Sequence, residues 1–246
     1  MTKPWDNYVS LFGFNITQAS LAEVCDSFTL LSDASRLVRV VTLNSQIAAG
    51  ADQDSNMHHW IATADLIVPD GQGITVAAWL LKKQRMGVVT GVDLVFSLIG
   101  SAHYSFYFVG ATSAVMNKVI SVLNTDYPEC QLLGSSHGFL TEEEQQLVIA
   151  DICQKKPAII LVGMGFPRQE LFIQQCDKQG VTGISIGVGG VFDVLAGETT
   201  LAPRWVRLIK CEWLYRGFQE PKRLLTWGFL FRYVRLVLRQ FFKSIS

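Results

Sequence analysis

From residue 37 onward, short apolar runs rich in β-branched residues alternate with segments of helical periodicity. The runs cover residues 37–43, 66–68, 106–109, 131–133, 158–162 and 184–188. Between them, residues 112–124, 142–154 and 168–178 bring apolar side chains back every three or four positions, the spacing of a helix with one buried face. Strand and helix in alternation predict an α/β fold with a mainly parallel, Rossmann-like sheet and helices on both of its faces. No internal repeat or low-complexity stretch interrupts the pattern.

In such a sheet ligands gather beyond the carboxyl ends of the strands, so the residues that follow each apolar run are the candidates for chemistry. These positions are rich in glycine: Gly71, Gly110, Gly163, Gly165, Gly189 and Gly190. Glycine lets backbone approach a ligand closely, and N–H groups at the start of a following helix bind phosphate. A nucleoside diphosphate is the ligand this surface fits best. Among the polar residues, Asp70 ends the run 66–68 between Pro69 and Gly71. A carboxylate there can serve as a general base, or it can cap the helix predicted from residue 71 onward.

Several shorter motifs have plainer readings. Gly163-Met164-Gly165 sits where a dinucleotide fingerprint would, but Arg168 occupies the place of the third glycine. The string Gly183-Ile184-Ser185-Ile186-Gly187 matches the hydrolase G-x-S-x-G pattern. However, Ser185 lies inside an apolar strand and all four histidines precede it, which is the wrong order for that fold. Asp52-Gln53-Asp54 looks like a metal-binding D-x-D pair, yet it lies in a polar stretch away from any strand end, so a solvated surface is expected. His58-His59 lacks a partner spacing for a metal and is assigned to a surface or hydrogen-bonded structural role. The five cysteines are scattered without a Cys-x-x-Cys pair, as expected for reduced, mostly buried thiols.

The formal net charge of zero hides an uneven distribution. Residues 201–246 hold ten Lys or Arg against Glu212 and Glu220, so the first 200 residues are acidic by the same margin. This divides the chain into an α/β catalytic domain, 1–200, and a basic helical appendage, 201–246. Within the appendage, residues 222–243 read as one amphipathic helix on which Arg232, Arg235, Arg239 and Lys243 recur at spacings of three and four. Trp227, Tyr233 and a wide set of Phe, Leu and Val side chains, Leu236 and Val237 among them, lie around them. Arginines for anionic head groups beside aromatic and aliphatic side chains suit a membrane interface. The apolar stretch before Arg232 is far short of the roughly 20 residues that span a bilayer. The alternative is a helix packed on the domain with its apolar face in a homo-oligomer interface. Nucleic acid is a poorer partner, since phosphate contacts have no use for so much apolar surface. The N-terminus shows no cationic and apolar leader, so a cytoplasmic location at the inner face of the membrane is expected.

Six strings occur in one order: Thr42-Leu43-Asn44, Pro69-Asp70-Gly71-Gln72-Gly73, Thr90-Gly91-Val92-Asp93-Leu94, Pro167-Arg168-Gln169-Glu170, Gly189-Gly190-Val191-Phe192-Asp193 and Glu212-Trp213-Leu214-Tyr215-Arg216. With Glu220-Pro221-Lys222-Arg223, this series resembles the WecG/TagA/CpsF family of glycosyltransferases over residues 40–223. The resemblance implies transfer of an N-acetylmannosamine-type sugar from UDP to a polyprenyl-diphosphate-linked acceptor in cell-surface polysaccharide synthesis. It also implies inversion at the anomeric carbon and no metal or other cofactor. It makes Asp70 the base, with Thr42, Asn44 and Gln169 lining the sugar and diphosphate and Asp193 contacting the uridine.

Without a metal, the departing diphosphate needs N–H groups and arginines; Arg168, Arg216 and Arg223 are the candidates. The sequence departs from the family pattern at Val88, where an arginine is usual, at Phe139, which keeps an aromatic face without a hydroxyl, and at Leu201-Ala202-Pro203. Val88 also motivates the alternative of a nucleotide-sugar-binding regulatory subunit, with Arg85 as the nearest replacement for the missing cation.

Overall fold

The computed structural model describes residues 6–31, 35–199 and 227–243. The chain opens with an antiparallel hairpin, β1 (Tyr8–Leu11) and β2 (Phe14–Thr17), followed by helix α1 (Leu21–Leu31). The apolar pattern from residue 37 did not include this hairpin. Its signal is the alternation of buried and exposed residues on either side of Phe12-Gly13, which both take positive φ (58° and 83°), the two-residue turn that matches strand twist.

The central sheet follows. Strand β3 (Leu37–Leu43) leads through α2 (Ser45–Ala51) and α3 (Ser55–Ala62) to β4 (Leu66–Pro69), and then to α4 (Gln72–Lys82) and α5 (Gly91–Gly100). Next come β5 (Ser105–Gly110), α6 (Ser113–Asp126), β6 (Gln131–Ser136), α7 (Glu142–Lys155), β7 (Ile159–Gly163), α8 (Arg168–Lys178), β8 (Gly183–Gly187) and α9 (Val191–Leu195). All six strands are parallel, in the order β4-β3-β8-β7-β5-β6. Each apolar run identified in the sequence is a strand of this sheet, so the expected α/β class and Rossmann-like arrangement hold.

The interior strands are largely apolar because both sheet faces are covered, and their few polar side chains, Arg39, Thr42 and Ser185 among them, are hydrogen-bonded to backbone carbonyls. Residues of one parity (Val38, Val40, Phe106, Phe108, Ile159, Leu161) pack with α1, α5, α6 and α9. The other parity divides its contacts: Tyr107, Val109, Ile160 and Val162 meet α7 and α8, while Val41, Leu43 and Ile67 meet the hairpin and α2 to α4. Each Phe, Ile or Leu fully removed from water contributes about 1.5–3 kcal/mol.

The last described element is α10 (Trp227–Lys243). It packs against α2 and α4 and against the hairpin. Tyr233 and Leu236 are buried in the same cluster as Phe14, Ile47 and Ile74, and the Phe12 N–H donates to Gln240 Oε1 at 3.1 Å. Phe231, Val234, Leu238, Phe241 and Phe242 stay exposed. The sequence grouped Tyr233, Leu236 and Val237 with the membrane-facing side chains; the structure gives them to the domain instead. At 100° per residue, the helix therefore has three sectors: a docked one, an exposed apolar one, and a basic one carrying Arg232, Arg235, Arg239 and Lys243. The boundary expected near residue 200 falls outside the described residues. No helix among the described residues is long and apolar enough to cross a membrane.

Candidate functional site

The carboxyl edge of the sheet gathers the predicted residues in layers. At the end of β3, Thr42 is buried and its hydroxyl donates to the Gly187 carbonyl at the end of β8, 2.7 Å away. Two residues on, Asn44 caps α2, its Oδ1 accepting from the Gln46 and Ile47 N–H groups at 3.0 Å each. With the carbonyl oxygen committed to the helix start, the amide N–H₂ is what Asn44 can offer a ligand.

Asp70 follows β4 and its N–H donates to the Leu43 carbonyl at 2.9 Å, so the two strand ends are tied together. Of the two roles open from the sequence, capping of α4 is not the one adopted: Gly71, at φ 90°, is the N-cap residue and no side chain caps that helix. Asp70 Oδ1 accepts instead from the Gly91 N–H at 3.3 Å, at the start of α5. Gly91 in turn stands against Thr42 and Val191, since a Cβ placed on it would lie 3.7–3.8 Å from their side chains. The carboxylate therefore belongs to the same edge as the β3 and β8 loops. A Cβ on Gly71 would meet nothing within 4 Å, so the backbone beside the carboxylate is open. The Thr90-Gly91-Val92-Asp93 string forms the cap of α5, Thr90 accepting from the Asp93 N–H at 3.0 Å.

On the β7 and β8 side the glycines serve close packing. A Cβ on Gly163 would come within 2.6–2.7 Å of Phe192 and the Gly189 carbonyl, and one on Gly110 within 2.4 Å of the Gly163 carbonyl. Gly165 and Gly189 take positive φ (74° and 54°) with open space where a Cβ would stand. Gln169 is buried in the first turn of α8; its Oε1 accepts from the Gly189 N–H at 3.0 Å and its Nε2 donates to Glu170 Oε1 at 2.8 Å. Asp193 lies on α9, and Gly190, the residue before that helix, has its Cβ direction 3.5 Å from Asp193 Oδ2.

Phe139 and Arg168 come together. The ring is exposed after β6, the guanidinium lies over it at 5.1 Å, and Arg168 Nη2 donates to the Met164 carbonyl at 2.8 Å. An arginine stacked this way has its plane fixed while N–H groups remain for an anion. Arg85 is exposed on the segment between α4 and α5. Arg216 and Arg223 lie outside the described residues, as do the Glu212 and Glu220 strings. Trp227 begins α10, with its side chain outside the description.

The motifs given plainer readings resolve locally. Asp54 caps α3, and Asp52 ends α2 and forms an ion pair with Arg239, so this D-x-D pair is structural. Arg239, expected at a membrane, thus has a protein partner. His58 Nε2 donates to the Phe12 carbonyl at 2.8 Å and its ring stacks on Phe14. Ser185 is buried and donates to the Val38 carbonyl at 3.1 Å. Two residues of consequence carried no assignment from the sequence. Gly91 matters through its backbone alone, which no side-chain pattern reveals. Glu170 was visible as part of the Pro-x-Gln-Glu string, but its burial was not.

The chain as a whole is similar to known proteins. The model of the glycosyl transferase WecG/TagA/CpsF family matches residues 9–246. The chain is 30% identical over 193 residues to the N-acetylglucosaminyldiphosphoundecaprenol N-acetyl-beta-D-mannosaminyltransferase of Bacillus subtilis (strain 168), covering 76% of this chain and 75% of that one. Proteins of the same name from Bacillus spizizenii and Staphylococcus aureus (strain MW2) are 29% and 30% identical, covering 86% and 85% of this chain and 82% and 83% of theirs.

Proposed function

Because the chain belongs to the WecG/TagA/CpsF family of glycosyltransferases, we propose that it transfers an N-acetylmannosamine-type sugar from UDP to a polyprenyl-diphosphate-linked acceptor sugar in cell-surface polysaccharide synthesis. The names of its relatives support the sugar and the lipid-linked acceptor. The observation that carries the reading is the position of Asp70: a carboxylate at a strand end, beside an open glycine, bonded to Gly91 and so held at the edge shared with Thr42 and the β8 loop.

In this reading Asp70 takes the proton of the acceptor hydroxyl as that oxygen attacks the anomeric carbon. The bond from that carbon to the UDP oxygen breaks with its electron pair leaving on the diphosphate, and the configuration inverts. The diphosphate is met by N–H groups of the glycine loops and by Arg168, whose stacking on Phe139 orients it before the substrate arrives. Arg216 and Arg223 are further donors, and Asp193 is the contact for uridine. Thr42 and Gln169 act from behind, since both are buried, Thr42 bonding the end of β8 and Gln169 the loop that follows it. The reaction as drawn needs no metal ion.

The three-sector α10 supports peripheral attachment at the cytoplasmic face of the membrane, with the exposed apolar sector in the interface and Arg232 and Arg235 toward anionic head groups. A lipid-anchored acceptor is confined to that surface, so docking there raises its concentration at the enzyme. UDP release from a panel of UDP-sugars, with a short-chain prenyl-diphosphate N-acetylglucosamine as acceptor, tests the activity. Release that requires both substrates and is lost in Asp70→Asn is expected. Failure of every donor with the unaltered protein would overturn the catalytic reading in favour of a nucleotide-sugar-binding subunit.

A further inference from the structure

We propose that Glu170 is a positioning residue for the transfer reaction, fixing which way round the Gln169 amide sits and thereby the conformation of the glycine loop after β8. The inference rests on the reading of the site given above. Gln169 bridges two groups of opposite character, its Oε1 accepting from the Gly189 N–H at 3.0 Å and its Nε2 donating to Glu170 Oε1 at 2.8 Å. An amide can be turned end for end at little steric cost, so its orientation is set by its partners. The acceptor oxygen of Glu170 compels the N–H₂ to face it and the carbonyl oxygen to face Gly189. Remove that acceptor and one of the two bonds that fix the amide is lost, leaving the Gly189 N–H alone to oppose the reversed orientation, in which two donors would face each other.

The loop needs such a constraint. Gly189 sits at φ 54° with open space around its Cβ direction, so its own side-chain position contributes nothing to holding it. The Gln169 amide also packs on Gly187, where a Cβ would stand 2.6 Å from Nε2, and Thr42 bonds the Gly187 carbonyl from the other side. Loop residues that present N–H groups to a leaving diphosphate contribute most when they need no rearrangement as charge develops.

The second oxygen of Glu170, Oε2, has no hydrogen-bond partner among the described residues. Glu170 borders a cavity of about 10 Å³ shared with Arg39, Thr42, Trp60 and Ser185. Burial pushes the carboxyl up to about 7. Its surroundings carry little that could compensate a charge. β7 and β8 have no ionisable side chain. On α7, Lys155 and Asp151 pair with each other, Tyr107 donates to Asp151, and the remaining acids lie in the exposed first turn. Cys153 of α7 faces Cys176, whose thiol is itself raised by burial. On β3, Arg39 donates its guanidinium to the Trp60 and Thr63 carbonyls. On α8 itself, Arg168 donates to the Met164 carbonyl. A neutral carboxyl keeps one oxygen as acceptor for Gln169, whereas ionisation leaves a buried charge on the anchor.

Two variants of the full-length protein test this. E170Q keeps an acceptor and cannot ionise, while E170L is of similar size and offers no acceptor. Amide hydrogen exchange over residues 187–190, corrected for intrinsic rates, reads the loop without any substrate. UDP release against pH reads turnover. In E170L the loop is expected to exchange about tenfold faster or more, and kcat to fall about tenfold or more with a smaller change in KM for the UDP-sugar. E170Q should keep the wild-type exchange and turnover; with the carboxyl raised by burial to about 7, the wild-type kcat is expected to decline as pH rises through that value, and E170Q should lack this decline. Wild-type exchange in E170L, impairment of E170Q equal to that of E170L, or an unchanged alkaline limb in E170Q would each overturn the proposal. Should E170L fail to fold, the pH profile of E170Q decides. An unaltered protein without transferase activity would refute the reaction, and the exchange comparison would then decide the anchoring alone.

Discussion

The hydroxyl of Tyr233 donates to the Gly73 carbonyl across 2.8 Å, joining residues 160 positions apart. Gly73 lies in the first turn of α4, three residues after Asp70, and a Cβ on it would lie 2.0 Å from Ser45 Oγ in the first turn of α2. The terminal helix therefore seats a buried side chain, Tyr233, against the two helix starts that follow β3 and β4. The basic, exposed apolar helix and the strand ends that carry Asn44 and Asp70 form one packed unit.

Tyr233→Phe removes that hydrogen bond and keeps the ring. A loss of about 1 kcal/mol in unfolding free energy is expected, measured by urea denaturation. Tyr233→Ala also leaves a cavity in the cluster with Phe14 and Ile74 and should cost about 3–5 kcal/mol. Equal stability of all three proteins would show that α10 does not contribute to the domain.

Asp70→Asn retains size and an oxygen that can accept from Gly91, and it removes the carboxylate proposed as proton acceptor. Transfer should fall by about 10²–10⁴-fold, while UDP binding, followed by calorimetry, stays close to that of the parent protein. Undiminished transfer would dismiss Asp70 as the base.

Arg232 and Arg235 are exposed on the basic sector of α10, whereas Arg239 pairs with Asp52. Reversing Arg232 and Arg235 to Glu removes about 1 kcal/mol of attraction to an anionic surface for each cation. Co-sedimentation with phosphatidylglycerol vesicles should drop by tenfold or more on the same scale, with unfolding unchanged. Arg239→Glu should in addition loosen the seat of the helix on α2, although an exposed pair of this kind contributes at most about 1 kcal/mol.

Glu170 makes stability depend on pH in a direction opposite to that of a salt-bridged acid. Its carboxyl titrates near 4.5 in the unfolded chain and at about 7 in the fold, so between these values the folded state holds the extra proton. Stability then falls as pH rises from about 5 to about 7, by up to about 3 kcal/mol. Glu170→Gln should remove this slope and leave the variant the more stable protein at pH 8, as read by denaturation at pH 5 and pH 8.

Gly163→Ala places a methyl group where Phe192 and the Gly189 carbonyl already stand. Because both neighbours belong to the loop after β8 and to α9, the expected result is reduced UDP affinity together with lower stability. Calorimetry and thermal unfolding on one preparation check both.

The strands were legible because both faces of the sheet are buried, which makes each interior strand a predominantly apolar run. The hairpin at residues 8–17 was passed over because its runs are four residues long and its turn, Phe12-Gly13, lacks the usual Asn or Asp. Asp70 and the glycines could be picked out at strand ends, since the parallel topology alone sends ligands to that edge, while Gln169 was assigned through the family resemblance. Their division of labour could not. The resemblance gave Thr42 and Gln169 as lining the site; that both are buried, Thr42 bonding the end of β8 and Gln169 the loop after it, depends on neighbours that are 20 to 145 residues distant in the chain.

The tail shows the same limit. Its sequence determined a helix, a row of arginines and more apolar surface than one face can bury. Only the tertiary structure decided which part of that surface meets the domain, because the choice depends on Gly73, Ser45, Asp52 and Phe12 being brought to one place by the sheet. Local periodicity follows from bonds a few residues long and is written along the chain. The seat of α10, the partner of Asp70 and the burial of Glu170 are contacts between distant segments, which exist only once the fold has formed.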